Sequence, residues 1–368
     1  MVKILEYDIH KLKIHNYDYH TRTIIDEECF TMSKGWNEEA LLEDLGDNLR
    51  KVLDAIHDIL DPNELVIYEA SRHLINAGGK LLRPLLVLLG CKAVGGDIEK
   101  ALPVAAGVEL SHVASLIHDD IIDQGISRRN VQAVHVKYGL HTAVITGDLL
   151  ILKNFCAIAK NAHVNGVPPE QIVRVLNVSS QAGVTLCEGE CMDLEFMKRY
   201  DVTEEECLNM YKKKTAIGFS APLVMGAILG GGTDREIEAL GEFGNLMGVA
   251  FQIQDDYLGL FGEEKRLGKP LISDIAEGKR TFLVVHALQT LQGEEKHGLI
   301  SALGNKNCTQ GEMEKAVEIL RSSGSADYAR NKAAEIVNEA KSKLALLPDT
   351  PTKKILLNMA DFVQYRSR

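Results

Sequence analysis

The chain has 368 residues, of which 45% are hydrophobic and 25% charged, and its formal net charge at pH 7 is −11. Such a composition is typical of globular proteins and supplies enough chain for one large domain or two ordinary ones. The negative charge argues against a protein that binds the backbone of nucleic acids and against a polybasic membrane anchor.

Two further features bear on where the protein works. The seven cysteines are scattered through helical patterns without a C-x-x-C spacing or a complete zinc-binding set, which predicts reduced thiols in a cytoplasmic protein. No apolar run approaches the roughly 18 residues of a transmembrane helix. The N-terminus also lacks the apolar core of a signal peptide.

Residues 1–36 stand apart from the rest, because their apolar residues alternate only loosely with polar ones. We expect a short irregular N-terminal extension there. From Asn37 onwards, apolar residues recur at spacings of three and four, the period of an amphipathic helix. Predicted helices cover about residues 41–60, 65–75, 80–89, 98–123, 133–161, 168–196, 203–230, 233–262, 274–292, 309–322 and 325–346, with a short helix at the end. The expected fold is all-α: a large single-domain helical bundle over 37–368 with a central apolar cavity.

One predicted helix ends in three carboxylates, Asp119, Asp120 and Asp123. These residues are spaced i,i+3 and i,i+4 and therefore reach one side of the turn. Mg²⁺ is commonly held by one or two carboxylates together with substrate phosphates. The motif predicts a Mg²⁺–diphosphate site, although a lone D-D-x-x-D is more often a solvated helix end.

A second apolar stretch ends in Asp255 and Asp256, and Asp193 lies on a third. Acidic groups near the C-terminal end of a helix oppose the helix dipole, so two such helices indicate a binding role. Carboxylates that face each other across a cleft would hold two or three Mg²⁺ ions on a diphosphate.

Basic residues stand in or beside glycine-containing breaks, where a side chain can approach a phosphate closely. Three consecutive lysines, Lys212 to Lys214, interrupt an otherwise apolar helix. Because a helix turns once every 3.6 residues, at least one of them is expected to point toward the core or cleft. The glycine-flanked cations are Lys80, Arg83, Arg128, Arg129, Lys269 and Lys279.

Two E-x-x-H motifs offer a competing interpretation, because in four-helix bundles this motif binds paired iron or manganese. The first is Glu109 with His112. The second, Glu294 with His297, lies in a polar, glycine-flanked run that predicts a loop, so a di-metal oxidase is disfavoured. His118, beside the acidic motif, is expected to pack or to hydrogen-bond rather than to bind a hard cation.

Together the motifs give the chain a specific resemblance to the trans-isoprenyl diphosphate synthases, which include the farnesyl, geranylgeranyl and polyprenyl enzymes. The resemblance covers about residues 40–368 and leaves out the extension at 1–36. It implies an all-α isoprenoid-synthase fold, Mg²⁺ and a homodimer. The motifs are Gly79–Pro84, Ser115–Asp123, Arg128-Arg129, Lys214-Thr215, Phe251–Asp256, Gly268–Pro270 and Glu277–Thr281.

The resemblance also implies roles for single residues. The Mg²⁺ ions would be held by Asp119, Asp120, Asp123, Asp193, Asp255 and Asp256. The allylic diphosphate would meet Arg128, Lys214 and Lys269, and isopentenyl diphosphate would meet Gly79, Lys80, Arg83, His112 and Arg129. The candidate catalytic residues are Lys214, Thr215 and Gln252, the last two near the developing carbocation, and Lys279 is a further candidate phosphate ligand.

Two positions depart from the family pattern. The second acidic motif usually reads D-D-x-x-D, but its last position here is Gly259, so the remaining pair is expected to bind Mg²⁺ more weakly. The Gly-Gln usually found before Asp193 is here Gly189-Glu190, which adds negative charge near the metals.

The implied reaction is a head-to-tail condensation with a dimethylallyl, geranyl, farnesyl or geranylgeranyl primer. The allylic C–O bond breaks as the departing diphosphate is neutralised. The double bond of isopentenyl diphosphate then attacks the allylic cation, and a proton is lost. No strong protein base is evident, which fits proton transfer to the released diphosphate.

Product length is expected to follow from the floor of the cavity below Asp119, since one helical turn of about 5.4 Å matches one isoprene unit. The upstream residues Ser111, Ala114 and Ser115 are all small, and no aromatic plug stands among them. We therefore expect a product of at least twenty carbons, with Val108, or Phe155 on a neighbouring helix, as the floor.

Two other functions share parts of this pattern. A class I terpene cyclase binds one diphosphate, whereas Gly79–Pro84 and the Asp255-Asp256 pair predict two. An inactive or regulatory subunit of a heteromeric prenyl synthase typically loses aspartates, and here only the one at Gly259 is lost.

Overall fold

The computed structural model describes residues 38–60, 64–262, 273–305 and 307–365. The predicted extension at 1–36 and the candidate phosphate ligand Lys269 lie outside these ranges. The described chain forms two compact units, each discontinuous in sequence. The first takes the residues up to Ser179 with Pro222–Ile237 and Leu347–Asn358; the second takes Ser180–Ala221, Glu238–Leu346 and the residues from Met359 onwards.

The described chain is almost entirely helical, as predicted. Its α-helices are α1 (Glu38–Leu60), α2 (Val66–Asn76), α3 (Leu82–Ala93), α4 (Leu102–Ile122), α5 (Val134–Tyr138), α6 (Leu140–Val164), α7 (Pro169–Phe196), α8 (Glu204–Tyr211), α9 (Ile217–Leu229), α10 (Asp234–Phe261), α11 (Ser273–Glu277), α12 (Phe282–Thr290), α13 (Gly293–Ala302), α14 (Gln310–Ser322), α15 (Ser325–Lys343) and α16 (Pro351–Tyr365). Short 3₁₀ turns lie at Ile98–Lys100 and Leu344–Leu346, and a π-helical turn joins α8 to α9 at Lys212–Ala216. A hairpin of two short strands, β1 (Ser127–Arg128) and β2 (Val131–Gln132), lies between the predicted helices at 98–123 and 133–161.

Several helices begin at a threonine that stands three residues before a glutamate. At Thr203, Thr233 and Thr309 the hydroxyl accepts a hydrogen bond from the backbone N–H of that glutamate, whose carboxylate accepts from the threonine N–H in return. Each such capping box satisfies two backbone donors that would otherwise lack a helical partner. These boxes fix where α8, α10 and α14 start.

Helix α4 is the centre of the first unit, where it packs against α1, α3 and α6. Its residues from Val104 to Leu110 are all buried, so it is apolar on every side rather than on one stripe. In the second unit α12 is the central helix. It packs against α8 and α15, and its residues from Phe282 to Val285 are buried. The C-terminal end of α4 carries the first acidic motif.

Two predicted helices are interrupted at glycines. Gly139 has a φ of +87° and separates α5 from α6, and Gly278 has a φ of +80° and follows α11. Positive φ values end a helix, and glycine adopts them without a steric penalty. The second break has a consequence for the site, because it leaves Lys279 in a turn rather than within a helix.

The loop predicted around Glu294 and His297 is wrong: both residues lie in α13. Glu294 and Glu295 occupy its first turn, where acidic residues favour a helix N-terminus. The buried residues Leu299 and Ala302 attach the helix to the rest of the unit.

By length and composition alone, one described helix is apolar enough to cross a membrane. The segment is Leu140–Asn161 of α6, and 39% of its most apolar window is buried within the chain. Several of its large apolar side chains are exposed, namely Leu140, Val144, Ile145 and Leu152.

Candidate active site

The first acidic site lies at the C-terminal end of α4 and contains its three predicted aspartates. Asp120 is only 3% exposed, Asp119 is partly buried, and Asp123 is the exposed C-cap residue. Arg128 reaches Asp120 from the hairpin, with Nε and Nη2 lying 2.8 and 2.7 Å from Oδ1. The other oxygen, Oδ2, is buried without a hydrogen-bond partner. A buried carboxylate oxygen left without a partner indicates a missing ligand, and a cation fits it.

Arg129 does not contact the aspartates as Arg128 does but belongs to a second cluster of side chains in the same unit. Its guanidinium donates to the Leu74 carbonyl at 3.1 Å and pairs with Glu109 at 3.6 Å. A Cβ atom at Gly79 would lie 2.7 Å from this guanidinium, so glycine leaves the room that the arginine occupies. Burial raises the pKa of Glu109, and Arg129 opposes that rise.

His112 is held as a neutral acceptor. Its Nε2 lies 3.1 Å from Nη1 of Arg83, and because an arginine cannot accept, this nitrogen accepts the hydrogen bond. Burial, followed by the charges of Arg83 and Arg129, lowers the pKa of His112 well below its ordinary value. Burial also lowers the pKa of Arg83, but an arginine remains charged under such conditions.

The loops around the first site have a strained backbone. Among the described residues, the four non-glycine residues with clearly positive φ are Leu81, Gln124, Arg129 and Asn130, at +46°, +55°, +52° and +63°. Arg129 is itself a predicted ligand, and the other three each follow one: Leu81 follows Lys80, Gln124 follows Asp123 and Asn130 follows Arg129. Left-handed backbone costs roughly 1–2 kcal/mol per non-glycine residue, and such strain concentrates at binding sites.

The second acidic site, in the other unit, surrounds a cavity of about 280 Å³. Its walls include four acidic residues, three cationic residues, one amide, two hydroxyls and one phenol. The lining residues are Asp193, Met210, Tyr211, Lys214, Thr215, Gln252, Asp255, Asp256, Gly259, Asp274, Lys279, Arg280 and Thr281.

Asp256 of the second site is held by uncharged donors. Its Oδ2 accepts from the Tyr211 hydroxyl and from the Phe282 N–H, and its Oδ1 accepts from the Gln252 amide at 2.8 Å. Burial, with help from Asp274, raises the pKa of Asp256 to about 8 despite these hydrogen bonds. The Gln252 carbonyl accepts in turn from the Thr215 hydroxyl at 2.7 Å. The predicted pair Thr215 and Gln252 is thus in contact and connected to the second motif.

Lys214 is the one of the three consecutive lysines that faces the cavity, as predicted for at least one of them. Its Nζ lies 2.7 Å from Glu190 and 2.6 Å from Asp193, both on α7. Lys212 is exposed. The π-helical turn at Lys212–Ala216 inserts an extra residue per turn, a feature common at functional sites, and it carries both Lys214 and Thr215.

Gly189 brings α7 close to this turn. A Cβ atom at position 189 would lie 2.4 Å from the backbone nitrogen of Lys214, too close for any other residue. The glycine therefore allows Glu190 and Asp193 to reach the ammonium of Lys214. Burial by itself lowers the pKa of Lys214, but the carboxylates outweigh burial and the pKa is raised above its ordinary value.

Three residues of the second site were missed or left without a role in the sequence analysis. Tyr211 precedes the lysine run, and Asp274 precedes Glu277–Thr281, so both adjoin recognised motifs. A Cβ at Gly259 would lie 3.3 Å from Oδ2 of Asp274, so a carboxylate stands near the space that the family's third aspartate uses. Arg280 is 1% exposed and donates to the carbonyls of Met197, Arg199 and Gly278, which makes it a structural brace.

The remaining candidates have less specific surroundings. Lys80 is exposed, and Lys279 pairs with Glu277 at 3.1 Å. His118 packs on α6, with Nε2 3.3 Å from the Val144 carbonyl, as expected for a packing residue. Of the predicted length-determining residues, Ala114 is fully buried and Ser111 and Ser115 are partly exposed.

The donors present fit Mg²⁺, which binds through one or two carboxylates and completes its shell with water and substrate phosphates. Within the described ranges, no three acidic, histidine or cysteine side chains converge into a ready-made metal cage. The unpartnered buried oxygen of Asp120 and the acidic lining of the second cavity are suitable donors.

The described chain is almost entirely helical and has two aspartate-rich sites, each beside cationic side chains, which is the arrangement that a metal-dependent transferase of diphosphate esters would need. The chain belongs to the polyprenyl synthetase family, whose model matches residues 64–320, and it is a prenyltransferase. It is 43% identical to the short chain isoprenyl diphosphate synthase of Methanothermobacter thermautotrophicus over 86% of this chain and 94% of that protein.

Solved structures agree in fold. The crystal structure of geranylgeranyl pyrophosphate synthetase from Pyrococcus horikoshii matches 90% of this chain and all of that one, with 37% identity and a TM-score of 0.83. A geranylgeranyl pyrophosphate synthase from Corynebacterium glutamicum, complexed with isoprenyl diphosphate and magnesium, is 26% identical with a TM-score of 0.80 over 88% of this chain and 99% of that one. The family thus uses a divalent metal with a diphosphate substrate.

Proposed function

We propose that the protein condenses isopentenyl diphosphate head-to-tail with an allylic diphosphate and releases a trans-polyprenyl diphosphate of twenty carbons or more. The allylic primer is dimethylallyl, geranyl, farnesyl or geranylgeranyl diphosphate. The observation that carries the proposal is the buried Asp120 carboxylate, which Arg128 holds through one oxygen while the other has no partner. That arrangement prepares a place for a metal beside a phosphate-binding arginine.

In the first site, Asp119, Asp120 and Asp123 hold Mg²⁺ and Arg128 binds the allylic diphosphate. The cluster of Arg83, His112 and Arg129, with Gly79 and the exposed Lys80, binds isopentenyl diphosphate. The close packing of Arg129 on Gly79 and the Arg83–His112 hydrogen bond support this assignment, because both fix cations that a diphosphate can meet.

In the second site, Asp193, Asp255 and Asp256 complete the binding of two or three Mg²⁺ ions. Lys214 and Lys269 bind the allylic diphosphate, and Lys279 is a further phosphate ligand. The oxygens of Thr215 and Gln252 lie near the developing carbocation. Their support is the hydrogen-bonded chain from Thr215 through Gln252 to Asp256.

The chain's own residues account for the chemistry around the metal. When bound, Mg²⁺ neutralises charge on the departing diphosphate. Arg128 and Lys214 stabilise the same developing charge with fixed cations. The oxygens of Thr215 and Gln252 present partial negative charge to the allylic cation. His112 is a poor base because its pKa is held far below the ordinary value, so the proton is left to the released diphosphate.

Product length follows from the small residues of α4. Ala114 is fully buried and precedes Asp119 by about one and a half turns of α4, and Val108 is buried further upstream on the same helix. Replacing Ala114 with phenylalanine is expected to fill the path of the growing chain and to shorten the main product by at least one isoprene unit. Chromatography of dephosphorylated products checks this, with Ser111→Thr as a smaller change on the same helix. A wild-type product of only fifteen carbons would overturn the assignment of length.

The protein is further proposed to work as a cytoplasmic homodimer, with residues 37–368 as the synthase domain and 1–36 as an extension. Helix α6 leaves four large apolar side chains exposed and α7 leaves Val173 exposed, and exposed apolar residues that lie together are typical of an interaction surface. A second copy of the chain would cover it. Sedimentation would show a mass of two chains, and a monomer at micromolar concentration would count against the dimer.

The decisive assay uses the purified chain alone with Mg²⁺, isopentenyl diphosphate and each allylic primer. Chain elongation supports the proposal. Absence of condensation would instead favour a regulatory subunit, and a cyclic hydrocarbon from a single diphosphate would favour a cyclase.

A further inference from the structure

The ammonium of Lys214 is shared between two carboxylates of α7. Glu190 Oε2 lies 2.7 Å and Asp193 Oδ2 2.6 Å from Nζ, and the two acidic residues are spaced i,i+3 on one helix face. The pairing is largely shielded from solvent, since the Lys214, Glu190 and Asp193 side chains are 24, 15 and 7% exposed. Shielded ion pairs of this kind are weakened little by salt.

The side chain at position 190 decides how much negative charge surrounds the ammonium of Lys214. An amide could accept one hydrogen bond from the ammonium without adding charge. The carboxylate of Glu190 instead brings the charge of the group Glu190, Asp193 and Lys214 to −1. A diphosphate that approaches Lys214 therefore meets a cation already satisfied by two anions, one of which it must replace.

We propose that Glu190 is an affinity-determining residue, which competes with the allylic diphosphate for Lys214 and so weakens binding of the free anion. The inference rests on the proposed function, in which Lys214 binds that diphosphate. Its consequence is a requirement for metal: Mg²⁺ that arrives with the substrate offsets the extra carboxylate. Glu190 thereby couples use of Lys214 to the metal-loaded substrate.

The same helix offers a matched control. Glu188 pairs with Lys213 at 2.6 Å, so a second adjacent lysine carries one α7 carboxylate in the same manner. This pair is more open, with side chains 52 and 32% exposed for Glu188 and Lys213. Changing Glu188 to glutamine alters the charge of the protein equally but leaves the Lys214 group intact.

The test compares Glu190→Gln and Glu188→Gln with wild type in titrations with inorganic diphosphate, first without metal and then with Mg²⁺. Without metal, Glu190→Gln should bind about fivefold to tenfold more tightly, because charge-assisted hydrogen bonds from one ammonium are no longer shared with a competing carboxylate. The gain should shrink when Mg²⁺ is present. The KM for the allylic diphosphate should fall in parallel, with kcat within about twofold, and Glu188→Gln should match wild type. Glu190→Ala, which leaves no acceptor, should show the same direction.

Unchanged or weaker binding of metal-free diphosphate by both Glu190 variants would overturn the inference. So would a loss of more than tenfold in Mn²⁺ affinity, measured by electron paramagnetic resonance without diphosphate, because Glu190 would then be a metal ligand. The variant Lys214→Gln distinguishes a failure of the proposed function from a failure of the inference about Glu190. If that variant binds diphosphate as well as wild type, the proposed role of Lys214 fails; if it binds weakly while the Glu190 variants are unchanged, only the role of Glu190 fails.

Discussion

The two acidic sites hold a buried aspartate in different ways. In the first, Asp120 accepts a hydrogen bond from Nε of Arg128, forms an ion pair with the same guanidinium and keeps one oxygen without a partner. In the second, Asp256 accepts hydrogen bonds from a phenol, an amide and a backbone N–H. Burial raises the pKa of its carboxyl to about 8. The same residue type near the end of an apolar helix thus has a cationic partner in one site and neutral partners in the other.

The first site therefore depends mainly on the position of charged side chains, and the second mainly on close packing. Arg128 comes from a short, strained hairpin, so the first site depends on where fixed cations are placed. The second depends on the close approach of α7 to the π-helical turn, which Gly189 permits. Neutralising a charged side chain should therefore lower activity most at the first site, and adding a side chain at a close contact should lower it most at the second.

The largest effect is expected from Asp120→Asn. The variant loses the carboxylate that Arg128 holds and the unpartnered oxygen that we assign to the metal. Losing one preorganised electrostatic contact in a buried site costs about 10²–10³-fold in rate, and kcat should fall within that range. Steady-state kinetics at saturating Mg²⁺ measure it.

Asp349→Asn is the matched control, because Asp349 pairs with Lys353 at 2.7 Å but is 97% exposed. Surface pairs contribute less than about 1 kcal/mol, so activity should stay unchanged. A loss of less than tenfold in Asp120→Asn would show that the first site does not depend on this charge.

The second site is tested by Gly189→Ala. The added methyl would lie 2.4 Å from the Lys214 backbone, so α7 and the turn must separate. Such overpacking costs about 1–3 kcal/mol, and activity should fall at least tenfold because Lys214 and Thr215 move. Thermal denaturation and kinetics measure the two effects.

Gly183→Ala is the control on the same helix, since a Cβ there meets nothing within 4 Å. Replacing a helical glycine by alanine should stabilise the protein by up to about 1 kcal/mol. If both variants behave alike, the close approach at Gly189 is not what builds the second site.

The smallest effect concerns the pH dependence of stability at His112. Above pH 6.5, its ordinary pKa, the residue is neutral in both folded and unfolded chains. Below that value the unfolded chain binds a proton that the folded protein does not, because burial and the arginines lower the folded pKa. The free energy of unfolding should therefore decrease as pH falls from about 7 to 5.

Denaturant titrations of wild type and His112→Asn across this range isolate the contribution. The wild type should lose more stability than the variant as the pH falls. Curves that stay parallel would mean that His112 is protonated in the fold and does not accept from Arg83.

The helical fold was predictable because apolar residues at spacings of three and four persist through the described chain. The T-x-x-E boxes at Thr203, Thr233 and Thr309 mark helix starts that the sequence displays openly. The break at Gly278 was harder to predict, because a single glycine inside an apolar pattern can adopt either a helical or a positive φ. The helix at Glu294 was missed because flanking glycines outweighed the buried Leu299.

The aspartates and arginines of the site were predictable from motifs, but their partners were not. Nothing in the sequence states that Tyr211 donates to Asp256, because the two are 45 residues apart. The proximity of Asp274 to Gly259 likewise depends on tertiary packing. Glu190 was visible as an extra charge, whereas its contact with Lys214 required the π-helical turn.

The four left-handed residues beside the first site also limit how the sequence can change. Glycine adopts that backbone conformation without strain, so a glycine at Leu81 or Asn130 would relax the free protein. It would also loosen the start of α3, which carries Arg83, or the hairpin, which carries Arg128. A selection for heat resistance would therefore favour these positions at the expense of turnover. Thermostable variants that stay active are better sought at exposed helix positions away from the hairpin.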